Sequence, residues 1–204
     1  MNDTSNVTNT HNGHEFVDLG LPSGTLWATC NVGATSPEQA GLYFAFGETT
    51  GFTAEQVESG ERAFDDESYT APSASGNLTL EQDAVRVNLG GEWRMPTKAE
   101  CQELIDNTTQ TWTNDYNGTG VKGKVFTSKV NGNSVFLPAA GRCRNSSVSH
   151  VGSRGYYWSA SWGSPSLAWC LRFLTMTQYM FISYLRWCGQ PVRGVCKNKD
   201  KSKI

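Results

Sequence analysis

Between Tyr116 and Lys199 the chain carries no aspartate or glutamate. Residues 1–115 hold eighteen of the nineteen acids and four of the seventeen bases, a balance of −14, and the remainder stands at +12. Arginines in such a stretch have no carboxylate near them in sequence. Either the acidic half folds against the basic half, or the basic half presents a cationic face to anionic ligands. The two are compatible, and both call for pairings between residues far apart in the chain. With 204 residues, one domain with a sizeable core is the expectation and two small ones the alternative.

Twenty-one glycines and many short Val-, Phe-, Thr- and Tyr-rich runs point to a loop-rich fold, mostly β or α+β, with short strands. Glu15 to Leu19 and Gly24 to Cys30 read as strands around the turn Leu21-Pro22-Ser23-Gly24, and Pro37 to Ala40 as a small helix. Residues 51–76, polar and poor in aliphatics, read as an irregular excursion. Thr97 and Glu100 form a capping-box pattern that predicts a helix to about Asp106. Val121 to Ser128 and Ser134 to Leu137 flank Asn131-Gly132, a hairpin signal of type I′. No apolar run approaches the length of a bilayer span, and Met1 to Gly13 has no basic-then-apolar signal pattern, so neither membrane insertion nor a signal peptide is expected.

The stretch from Ser161 to Gly189 obeys no ordinary surface rule. Leu171 and Phe173 alternate with Cys170, Arg172 and Leu174, and Met176, Gln178 and Met180 alternate with Thr177, Tyr179 and Phe181. Ile182, Ser183, Tyr184 and Leu185 follow with no period. A solvent face built for solubility would carry Lys and Glu, and a buried one would not carry Arg172 unpaired. Recognition is the use left for such a face. Trp158, Trp162, Trp169 and Trp187 read as core. Arg172 is expected to be free, and Arg186 to be tied to an acid such as Glu92 or Asp83.

The six cysteines show no CxxC spacing and no Cys/His cluster, so zinc is not expected. Neither is any other cofactor. Cys170 and Cys188 have no accompanying general base or nucleophile motif, so no catalytic residues are assigned. Nucleic-acid binding by the basic half lacks a recognisable stacking module.

The segments Phe16 to Ala28, Gly91 to Thr97, Phe136 to Gly141, Gly155 to Ser159 and Gly189 to Val195 together resemble the Bacteroidetes major paralogous domain proteins. That resemblance implies a C-type lectin-like fold related to the formylglycine-generating enzyme, over residues 15–196, with tails at 1–14 and 197–204. The C-terminal part is similar to the variable proteins of diversity-generating retroelements from gut phages and bacteria. In that family adenines of a template repeat are copied with errors, so template Asn codons cannot become Trp, Met, Gln, Lys or Glu. Trp169, Met176, Gln178, Met180 and Trp187 would then be fixed.

The resemblance implies a variable region of about 161–189. Its ligand-binding residues would be Gly163, Pro165, Leu167, Cys170, Arg172, Leu174, Thr177, Tyr179, Phe181, Ile182, Ser183, Tyr184 and Cys188. The expected ligand is a cell-surface protein or glycan, an anionic one included. The expected carrier is a phage virion or a bacterial surface, with a homo-oligomer inside a larger assembly as one arrangement. A formylglycine-generating oxidoreductase is the alternative. Another is a calcium-dependent lectin, for which only Trp112-Thr113-Asn114-Asp115 comes near the expected sugar-site motif.

Overall fold

The structure, a computed structural model, describes residues 9–72, 76–175 and 180–197, with 180–183 described by their backbone alone. The chain opens with β1 (Thr10–His11), β2 (His14–Asp18), β3 (Thr25–Asn31) and β4 (Tyr43–Phe44). Three helices follow, α1 (Ala54–Glu58), α2 (Ala84–Leu89) and α3 (Lys98–Asn107). Next come β5 (Thr108–Thr113), β6 (Gly123–Ser128) and β7 (Ser134–Pro138), and then the short hairpin β8 (Arg142–Arg144) and β9 (Ser147–Ser149). The chain ends on β10 (Arg154–Trp162), β11 (Leu167–Leu174), β12 (Met180–Leu185), β13 (Gln190–Pro191) and β14 (Arg193–Lys197). The strands form small antiparallel sheets, giving a sheet-rich α+β molecule.

The acidic and basic halves do fold against each other. β14 pairs with β3 and β13 with β4, and single bridges join Phe64 to Asn145, Asn77 to Ser161 and Arg94 to Val195. The charges themselves hardly meet. Of the ion pairs among the described residues, only Lys197 with Glu100, at 3.4 Å, crosses between the halves.

Glu100 is the polar hub of this junction. Thr97 caps α3 by accepting from the Glu100 amide, and the Glu100 carboxylate accepts from the Thr97 amide at 3.0 Å, so the capping box forms as read. The same buried carboxylate takes Arg94 in a two-pronged pair at 2.6 and 2.7 Å. It also accepts from Thr25 on β3 at 3.2 Å. Burial pushes the Glu100 carboxyl up, but the Arg94 pair, the Thr97 amide and Lys197 outweigh it and hold the pKa at about 2.

Other local expectations meet mixed outcomes. The hairpin of β6 and β7 forms, but its loop spans Lys129 to Asn133. Gly132 has positive φ and Asn131 does not, so the turn is not type I′. Both asparagine side chains of that loop instead donate to the Asp18 carbonyl. Pro37 to Ala40 makes a turn rather than a helix, the Gln39 amide oxygen accepting from the Thr35 amide. The excursion at 51–76 contains α1, capped by Thr53 and Gln56 and anchored by the buried Val57. Within the span read as an N-terminal tail, Thr10 to His14 are built into the hairpin of β1 and β2, and the His11 carbonyl accepts from the Trp93 indole at 2.7 Å. Residues 1–8 and 198–204 lie outside the described residues.

β10, β11 and β12 form a three-stranded sheet that separates two apolar cores. On one side Tyr156, Trp158, Ala160, Ala168 and Cys170 join Phe44, Phe46, Val85 and Trp93. On the other, Tyr157, Leu171 and Phe173 join Leu104, Phe126 and Leu137. The Phe173 ring lies where a side chain on its cross-strand partner Gly155 would have to be, with Cζ 2.0 Å from the site of a Cβ. Gly155 is therefore the residue that lets the ring close the second core. β11 thus has apolar burial on both faces, which explains its apolar run from Leu167 to Leu171, broken only at Arg172 toward its end.

Candidate ligand-binding face

The expected binding residues divide in the structure. Cys170 and Cys188 are fully buried, each with 0% exposure, and cannot be offered to a macromolecular ligand as the face reading required. The reason is the first core: Cys170 stands in register between Trp158 and Ile182 on the neighbouring strands, and its side chain joins the cluster of Trp158, Tyr156 and Phe44. Burial pushes the Cys170 thiol up to about 12 and the Cys188 thiol up to about 11, the opposite of what a thiolate nucleophile needs.

Gly163 and Leu167, half-buried, and the exposed Pro165 lie at the β10–β11 turn. Arg172, Leu174 and Tyr184 are half-buried further along the sheet. Phe181, Ile182 and Ser183 lie on β12, opposite Leu171, Cys170 and Trp169. Thr177 and Tyr179 lie outside the described residues, as do the expected fixed positions Met176 and Gln178.

Arg172 is not free. Its guanidinium lies 5.6 Å from the centroid of the buried Tyr156 ring, its direct cross-strand partner. Arg142, from β8, approaches the same ring at 5.6 Å and the Tyr184 ring at 5.0 Å. The two tyrosine rings meet edge to face at 5.7 Å. Arg144, two residues along β8, covers Trp187 at 5.0 Å. His150 stands 6.3 Å from Tyr156, and burial followed by the fields of Arg154, Arg142 and Arg172 pushes its imidazole below the ordinary value. Four guanidinia and a histidine therefore gather on one face.

Among the described residues none of Arg142, Arg144, Arg154 or Arg172 makes an ion pair. The field of Glu58, on α1, reaches the Cys143 thiol beneath the hairpin, but Glu58 pairs with none of the four. The Nε atoms of Arg142 and Arg172 are buried without a hydrogen-bond partner. Sequence reasoning found Arg172 and Tyr184 but missed Arg142, Arg144, His150 and Tyr156. Their signal was the missing acid, since a hairpin of Arg-Cys-Arg in an acid-free half has nothing nearby to neutralise it.

Arg186 is internal, as expected, but not through an acid. Its guanidinium donates to the Pro165 carbonyl and lies 6.0 Å from the Tyr69 ring, while Asp83 is spent on the Arg86 and Met95 amides. Of the four tryptophans read as core, Trp158 is buried and Trp162 packs half-buried against the first core. Trp169 and Trp187 are half-buried under the cations of Lys98, at 3.3 Å, and Arg144.

The segment from Trp112 to Asp115 spends its polar groups locally, the indole on Asn114 and the Asp115 carboxylate on the Gly120 amide. Among the described residues no three His, Cys, Asp or Glu side chains gather as a metal site. No helix there is long and apolar enough to cross a membrane. Comparison with protein-family models, with curated proteins and with solved structures finds no match.

The face differs in mechanical cost from one residue to the next. Arg144→Ala, at an exposed position, is expected to change stability by no more than about 0.5 kcal/mol. Arg172→Ala and Tyr184→Ala each strip a ring contact and are expected to cost about 1 kcal/mol. Thermal melting distinguishes them at roughly 2–4 °C per kcal/mol for a chain of this size.

Proposed function

We propose that this chain is a ligand-binding protein with a C-type lectin-like fold, and that the rim formed by the β8–β9 hairpin and the outer parts of β10, β11 and β12 recognises a target on a cell surface. The observation that carries this reading is the convergence of Arg142, Tyr156, Arg172 and Tyr184, from separate segments of the acid-free half, on one partly open face. Cations that gather beside rings with no acid to pair them gain little for the fold, a ring contact of about 1 kcal/mol each, while their mutual repulsion and buried Nε groups work against it. Aromatic rings beside arginine are the composition of binding hot spots.

The residue classes of the C-terminal segment support the further reading that this is the variable protein of a diversity-generating retroelement, carried by a phage receptor-binding structure in the first place and a bacterial surface in the second. Sequencing the DNA downstream of the gene tests it. A near-identical repeat that differs only at adenines, beside a reverse transcriptase gene, is the expected finding. A locus with neither overturns the retroelement reading.

A further inference from the structure

We propose that the guanidinia of Arg142 and Arg172, both held against the Tyr156 ring, seat a carboxylate of an acidic sugar, with Arg144 and Arg154 extending the cationic track to neighbouring acidic groups. This rests on reading the same face as the ligand-binding surface.

The geometry limits how such an anion is held. Both guanidinia lie 5.6 Å from one ring centroid, so they stand within twice that distance of each other. A cation–π contact with a buried ring holds a guanidinium in place without using its N–H groups, which stay able to donate. With each Nε buried, the terminal nitrogens remain, and two parallel N–H groups at that end match the two oxygens of a carboxylate. Arg154, on β10 two residues before Tyr156, and Arg144, two residues after Arg142, add charge on either side. Among the described residues no acid forms an ion pair with these arginines, so an incoming carboxylate has no internal carboxylate to displace.

The surroundings favour a sugar over an acidic peptide. The rim carries the hydroxyls of Ser147, Ser149 and Ser153 and the half-exposed rings of Tyr184 and Trp187, groups suited to sugar hydroxyls and to the apolar faces of pyranose rings. A peptide needs pockets for its side chains. A cleft of about 610 Å³ lies elsewhere, between β3 and the ends of β2 and α2. Among the described residues the rim's one exposed large hydrophobe is Val151.

The test is isothermal titration of the intact protein with three probes: an oligouronate, the same oligosaccharide with its carboxyls reduced to alcohols, and polyglutamate. The expected result is binding of the oligouronate and not of its neutral counterpart. Arg142→Ala and Arg172→Ala should each weaken that binding about tenfold, and Arg172→Lys should recover only part, because an ammonium keeps the charge and loses the fork. Rising salt should weaken binding in the unmodified protein, a reading that needs no variant to fold. Equal binding of the neutral oligosaccharide, with loss on Tyr184→Ala, overturns the anion site while leaving the face as a ligand surface. Equal or tighter binding of polyglutamate through the same arginines overturns the sugar and assigns an acidic protein segment. Binding of none of the three overturns the proposal, and the wider reading then stands or falls on the downstream repeat.

Discussion

Trp158→Ala is expected to cost about 3–5 kcal/mol and to lower the melting temperature by roughly 10 °C. The indole is 1% exposed and sits in the first core with the Phe46 ring edge-on at 5.8 Å. Its Nε1 donates to the Phe44 carbonyl at 2.9 Å, tying β10 to β4 across the two halves of the chain. Truncation therefore opens a cavity and strands a buried acceptor at once. Trp169→Ala, by contrast, removes a half-buried ring under Lys98 and is expected to cost about 1–2 kcal/mol. Equal losses in thermal melts of the two variants would mean that the second core extends over Trp169.

The second large effect is acid sensitivity through Glu100. Its folded pKa of about 2 lies below the ordinary 4.5, so it is a depressed carboxylate and its contribution is present above the unfolded value. That contribution, about 3 kcal/mol, is expected to be complete above pH 4.5 and to disappear as pH falls toward 2. Asp83 and Glu48, whose carboxyls burial pushes up, work in the opposite direction. Subtracting the unfolding free energy of Glu100→Gln from that of the unmodified protein removes their common contribution, and glutamine can keep the cap on α3. A difference that stays constant from neutrality to pH 2 would show that the Arg94 pair contributes nothing net.

What the sequence disclosed and what it withheld divide along the range of the interactions. The α3 start was legible because Thr97 and Glu100 are three residues apart and answer to each other. The β6–β7 hairpin was legible for the same reason, although the turn type was not, since Asn131 found a distant carbonyl at Asp18 and had no need of a positive φ. α1 hid in a polar stretch because one buried residue, Val57, suffices to dock a helix of five. The alternation in β11 was real, but alternation signals a free face only where the sheet has one. With cores on both sides, Cys170 was misplaced. Arg172 was expected to be free and is not, because the ring that holds it comes from the next strand and a ring, unlike an acid, leaves no trace in a charge count. The acid-free half was the most useful long-range clue, since it anticipated both the interlocking of the halves and the unpaired arginines on the rim.

The double-sided burial of β11 also sets how such a surface can change over generations. Ala168, Cys170, Leu171 and Phe173 each answer to one core or the other, so replacing any of them demands a compensating change elsewhere. The turn at 163–166 and the hairpin loop at 145–146 make few such demands. Independent positions multiply the number of viable combinations, whereas coupled ones divide it. A lineage built on this fold would therefore explore sequence space from the rim inward, with the central strand as the slow coordinate and the loops as the fast ones.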